Sequence, residues 1–220
     1  ESPYRSRYII GEPISQLYLF HLIGVDPATG KYQYEDVNHD GSIKRVEGVI
    51  PGTGGDDRYV RIPTAPDFTG GFNNQFIYKD LSLSVMVEFQ RKMGPNALAP
   101  GYASMRNMPR WNYDNRWTTP GQESKAPALT TVYTSDSYSN FSYSDGNYTD
   151  ASFIRIKTVA LSYNLPRELV KRAKMERLAI NVNAQNLFTI TNYQGLDPDV
   201  TSFGSMPPVR TITAGLSCSF

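Results

Sequence analysis

The chain has 220 residues, 20% of them charged, and a formal net charge of +1. That length is enough for one large or two small units with a core, and so even a balance offers no concentrated basic surface for nucleic acid. A single cysteine, Cys218, rules out an intrachain disulfide, and two distant histidines, His21 and His39, leave neither a zinc spacing nor a base–nucleophile pair, so the chain does not read as an enzyme.

No run approaches the roughly 18 continuous apolar residues of a membrane helix. A helical membrane protein is thereby excluded, but a β-barrel is not, because its strands alternate and escape hydropathy windows. Tyrosine is abundant, with 15 residues. Its apolar ring and wet hydroxyl suit β-structure, a membrane interface or a binding surface.

In chain order, a first strand is expected over about 12–25, where "SQLYLFHLIGV" is apolar on both faces. Residues 36–47, "DVNHDGSIKRVE", then match the EF-hand loop pattern at every specified position. Asp36, Asn38 and Asp40 offer side-chain oxygens, Ser42 its carbonyl and Glu47 a bidentate carboxylate, which makes them candidate Ca²⁺ ligands. Lys44 brings a positive charge and no oxygen, which lowers the expected affinity. "KYQYE" before the loop is no helix, so the ion would be structural rather than a switch. The competing reading is an Asx-rich turn without metal, since Asp, Asn and Gly make such turns unaided.

Strict alternation begins at Phe68. Strands are expected over 68–78 and 81–90, joined by the turn Lys79–Asp80, with apolar residues at every second position. The long segment 91–151 carries Trp111, Tyr113, Tyr133 and Tyr143 among its aromatics. They are candidate substrate contacts, because flat rings stack on sugars or pack on a partner, and self-packing of a long loop is the alternative. Within the next strand, 152–165, the apolar set changes face near Lys157–Thr158, which implies a β-bulge or basic side chains snorkelling at a rim. After the short link "LPRELVKRAKMER", further strands are expected over about 177–190 and 208–220.

Each clean run has about 10 to 13 residues, against about 5 or 6 for ordinary strands and about 9–11 for transmembrane ones. Their second face is Ser, Thr, Asn, Gln and Gly, among them Asn73, Gln75, Asn181, Asn183 and Gln185, with few charges such as Glu88. That composition suits a wet lumen. Connections alternate short and long; if the C-terminus is periplasmic, the long ones at about 26–67, 91–151 and 191–207 all lie outside.

In this order, "EDVNHDGSI", "PDFTGGFNNQFIYKDLSLSV", "RWTTP", "ASFIRIKTVALSYNLP", "LAINVNAQNLFTITNYQGLDPDV" and "PPVRTITAGLSCSF" resemble the C-terminal end of SusC/RagA-like TonB-dependent transporters. Those are outer-membrane barrels of Bacteroidetes-type bacteria. The resemblance implies an all-β fold, an antiparallel transmembrane β-barrel to which residues 1–220 give about six C-terminal strands of a roughly 22-stranded, plugged whole. It also implies an importer of oligosaccharides or peptides in the outer membrane, partnered by a SusD-like lipoprotein, by TonB through a region outside this chain, and by the outer-membrane assembly machinery. No organic cofactor is expected. Phe220, closing the last alternating run, reads as a barrel-assembly signal or as part of an interfacial girdle. The rival is a soluble extracellular β-sandwich that binds carbohydrate or protein and carries a structural calcium loop.

Overall fold

A computed structural model describes residues 4–97, 108–130, 136–172, 174–200 and 205–220. Its strands are β1 (Gln16–Leu19), β2 (Leu22–Val25), β3 (Tyr32–Tyr34), β4 (Val60–Pro63), β5 (Phe68–Tyr78) and β6 (Leu81–Arg91). They continue as β7 (Met93–Pro95), β8 (Tyr148–Asp150), β9 (Phe153–Asn164), β10 (Arg177–Thr191) and β11 (Thr211–Ser219). Three short helices, α1 (Arg110–Asp114), α2 (Asp136–Ser139) and α3 (Arg167–Arg172), complete the elements used below. The chain divides into a loop unit, Glu1–Ala65 with Lys92–Asp150, and a sheet unit, Pro66–Arg91 with Ala151–Phe220.

The sheet unit holds one antiparallel sheet in the order β11-β10-β9-β6-β5. Its registers align the two faces across all five strands. Phe76 opposes Leu83, which opposes Leu161, which opposes Val182 and then Ala214, so the apolar residues form continuous rows. On the other face Ser84 donates to Asn73 Oδ1 (3.1 Å), Ser162 to Asn181 Oδ1 (2.8 Å), and Lys157 to Glu88 (2.6 Å). The polar side chains thus bond one another across strands, and much of the apolar band, Phe72, Phe76, Ile180 and Leu216 among it, is left exposed. Lys79 turns the β5–β6 hairpin with φ 53°, a left-handed conformation that a two-residue link requires.

The change of face within β9 is a bulge. Met86 opposes Thr158 and Val87 opposes Ile156, so Lys157 is the extra residue against β6. β10 carries its own extra residue between Gln185 and Phe188, where Asn186 takes φ 51°. Two compensating bulges return Ile154, Ile156, Phe188 and Ile190 to the apolar face. β5 and β11 each pair on one side only, so both sheet edges are open, as expected of part of a barrel wall.

The segment at 12–25 departs from expectation. It forms β1 and β2, which join not the long sheet but β4 and β3 in separate two-stranded sheets of the loop unit. Among the described residues, five long strands, rather than six, therefore build the wall. The physical reason is the pattern itself: a run apolar on both faces has no lipid side and no wet side, and it is used here as core. Phe20, Tyr32, Tyr34 and Phe141 make that core, with Tyr32 stacked on Phe141 at 4.7 Å between ring centroids.

Candidate functional site

The EF-hand-like loop closes on itself. Asp36 accepts hydrogen bonds from the Asp40 and Gly41 amides (3.3 and 2.7 Å), Asn38 Oδ1 from the Asp40 amide (2.9 Å), and Asp40 Oδ1 from the Ser42 amide (2.9 Å). His39 and Gly41 both take positive φ, 59° and 80°, to turn so tightly. Ile43 packs against the aromatic core and anchors the far side. Into this ring of oxygens reaches Lys44, whose Nζ lies 2.6 Å from Asp40 Oδ2. The ammonium bond holds the Asp40 carboxyl below its ordinary range, and the carboxylate in turn raises the lysine.

Of the five candidate calcium ligands, Asp36, Asn38, Asp40 and Ser42 are thus gathered, while Glu47 stands apart, 86% exposed and 3.3 Å from Arg45 Nη2. Among the described residues no three His, Cys, Asp or Glu side chains converge in a way that could hold a metal.

What fixes the loop is a pair of residues not singled out from the sequence. Asp57 is fully buried, and its two oxygens accept from the Val37 and Lys44 amides (3.1 and 3.0 Å), tying one side of the loop to the other. Asp56 accepts from the Val46 amide (2.9 Å) and from Nε and Nη2 of Arg58 (2.9 and 2.6 Å). Only an acidic pair beside the glycines of "GTGGDDR" hints at this, and no spacing rule links it to residues 37–46.

The aromatic candidates scatter. Trp111 and Tyr113 sit on α1, with the Arg116 guanidinium 3.7 Å from the Tyr113 ring. Tyr143 lies elsewhere in the unit, 49% exposed, under Arg45 at 5.5 Å. Tyr133 lies outside the described residues. Trp117 is a structural ring: its Nε1 donates to the Pro27 carbonyl (2.8 Å), and it covers Gly30 so closely that a Cβ there would lie 2.5 Å from the ring.

On the polar face of the sheet, Arg155 is the one charge driven deep. It is 2% exposed, with Nη2 2.7 Å from both oxygens of Asp197, Nε on the Thr189 hydroxyl (3.1 Å), and Nη1 3.6 Å from Asp199. The "GLDPD" stretch is therefore clamped to β9 and β10. Phe220 follows β11 and is exposed.

No family model matches the chain. It is 27% identical over 252 aligned residues to TonB-dependent receptor P3 of Formosa agariphila, covering 96% of this chain and 22% of that protein. It is 26% identical to TonB-dependent receptor P26 of the same organism, over 89% of this chain and 20% of that protein. In fold it is similar to the RagAB peptide importer in the 'closed-closed' state, with a TM-score of 0.71 and 24% identity over 100% of this chain and 24% of the importer chain. The chain resembles the barrel portion of a SusC/RagA-type TonB-dependent receptor, in sequence and in fold. It spans about a fifth of the length of the relatives it matches. The long sheet thus corresponds in fold to a stretch of such a barrel wall, and the loop unit is built from the two segments that precede β5 and link β6 to β9.

Proposed function

We propose that this chain is part of a TonB-dependent outer-membrane importer of oligosaccharides or peptides that works with a SusD-like surface lipoprotein. The observation that carries the reading is the sheet, whose five long antiparallel strands have one continuous apolar face and one hydrogen-bonded polar face. A soluble sandwich would need a second sheet over the apolar rows, and the other sheets among the described residues are two-stranded. The similar RagAB structures are named as a peptide importer, which supports import and favours peptide as one cargo class.

The short links and the chain end gather at one end of the sheet: Asn164 N bonds the Asp80 carbonyl (2.9 Å), and Glu176 N bonds the Ser219 carbonyl (2.8 Å). In this reading that end is periplasmic, Phe220 serves the assembly machinery, and the long connections at about 26–67, 91–151 and 191–207 lie outside, where cargo and the lipoprotein arrive. Exposed Trp111, Tyr113 and Tyr143 offer stacking surfaces there. Cargo then passes along the polar face, whose amides exchange hydrogen bonds with it, once TonB has remodelled the plug through a region outside this chain. Binding and gating suffice, and no bond is broken. Calcium in the 36–47 loop is part of the proposal as a weak structural ion, which must displace Lys44 from Asp40 and draw Glu47 inward.

The test is made on the full-length receptor. Heat-modifiable migration in detergent and loss of labelled-cargo uptake in cells lacking TonB are expected. Recovery of a folded monomer from plain buffer without detergent would overturn the reading.

A further inference from the structure

The loop unit contains a cavity of about 410 Å³, within the size range of small-ligand sites. Its wall includes Arg7, Arg45 and Arg58 with Tyr18, Tyr143 and Tyr148, and no acidic side chain lines it. Three guanidinium groups share this wall, and among the described residues only Asp56 and Glu47 pair with any of them.

Arg58 is buried, and it spends Nε and Nη2 on Asp56, leaving Nη1 without a partner among the described residues. Among the described residues Arg45 pairs only with the exposed Glu47 at 3.3 Å, a rim pair of little strength, and otherwise lies over the Tyr143 ring. Arg7 faces the Tyr8 ring at 5.3 Å and meets no carboxylate among the described residues. Tyr18 is 8% exposed, and its hydroxyl is buried with no hydrogen-bond partner among the described residues. With three guanidinium groups and no carboxylate in its lining, the cavity is suited to an acceptor that arrives from outside. A planar carboxylate suits them best, because the guanidinium fork bonds it bidentately, and tyrosine rings receive the flat or apolar part attached to it.

We propose that this cavity is a binding site for a carboxylate-bearing ligand, the acid group of a peptide or of a uronic sugar, held by Arg7, Arg45 and the free edge of Arg58 against Tyr143 and Tyr148. That the ligand is imported cargo rests on the importer reading; the demand for a carboxylate rests on the lining alone.

The experiment is calorimetric titration of the purified full-length receptor with two pairs of probes. One pair is a blocked tetrapeptide with two aspartates and its asparagine counterpart. The other is digalacturonate and neutral digalactose. At least one acidic probe is expected to bind at least tenfold more tightly than its neutral partner, and the pair that does so identifies the source of the carboxylate. The double variant Arg7→Gln, Arg45→Gln loses at least tenfold for that acidic probe and stays within twofold for the neutral one. Both arginines are exposed, and unchanged protease resistance of residues 4–65 shows that the loop unit of the variant is folded. Equal binding of acid and neutral forms, no binding of either acidic probe, or wild-type affinity in the double variant overturns the proposal. Acid-selective binding accompanied by uptake that does not need TonB sustains the cavity assignment and removes the importer reading.

Discussion

The sheet unit and the loop unit satisfy the same demand by opposite means. In the sheet, backbone groups pair strand to strand along ladders that run from Phe68 opposite Arg91 to Tyr78 opposite Leu81. In the loop unit the strands have three or four residues, and buried carboxylates take over: Asp57 alone holds the Val37 and Lys44 amides. A periodic structure spreads its stability over many equivalent positions, whereas an irregular one concentrates it in a few residues without substitutes. Substitutions should therefore be graded by face in the sheet and by individual residue in the loop unit.

The sharpest exception should give the largest effect. Arg155 lies in the sheet yet behaves like a loop-unit residue, because one buried side chain carries the whole clamp on Asp197. Arg155→Ala is expected to cost about 3–5 kcal/mol, since it leaves a mostly buried carboxylate uncompensated. The temperature of the heat-induced migration shift of the full-length receptor reads the loss, and adding Asp197→Asn should restore part of it. No recovery would mean that the arginine acts through packing alone.

Next comes the contrast between faces. Val85→Arg on the apolar rows should cost about 2–4 kcal/mol in the membrane, whereas Ser84→Arg, one residue away on the polar face, should cost close to nothing. Equal costs would erase the distinction between a lipid side and a wet side. Asp57→Ala follows, at about 2 kcal/mol for two orphaned amides. Its effect should be local, seen as new protease cleavage within residues 37–46 while the migration shift of the barrel stays put.

The smallest effect concerns the exposed Asp40–Lys44 pair. Because the Lys44 bond lowers the Asp40 carboxyl, its contribution is present above the unfolded carboxylate value of about 3.9 and is lost as pH falls below that. Protease resistance of the loop should accordingly decline on acidification, and Lys44→Ala should flatten that decline. The same variant should tighten Ca²⁺ severalfold by removing the competing ammonium, while Asp36→Ala should abolish the heat of calcium binding. Unchanged calcium heats in both would dismiss the ion.

Much of the sheet was legible because alternation is a local property: Phe72, Val85 and Val159 declare their face by their neighbours alone, and the bulge shows as a slip in period near Lys157. The loop unit was much less so. "SQLYLFHLIGV" has no period, and a both-faced apolar run fits a core as well as a strand, so only its pairing with β3 and β4 decides.

By itself, then, the sequence determined the long strands, their two faces and the two-residue hairpin link, because each follows from residues within a few positions of one another, and it left two readings of the Asp36–Ser42 turn, with an ion and without. Tertiary structure alone decided which carboxylate holds that turn, Asp57 reaching back 20 residues to Val37; which loop Arg155 captures, 42 residues on at Asp197; and which arginines share a cavity with Tyr143. Those pairings depend on where the chain returns, and one carboxylate or guanidinium in a sequence looks like any other until the fold brings its partner within 3 Å, the distance over which such bonds act.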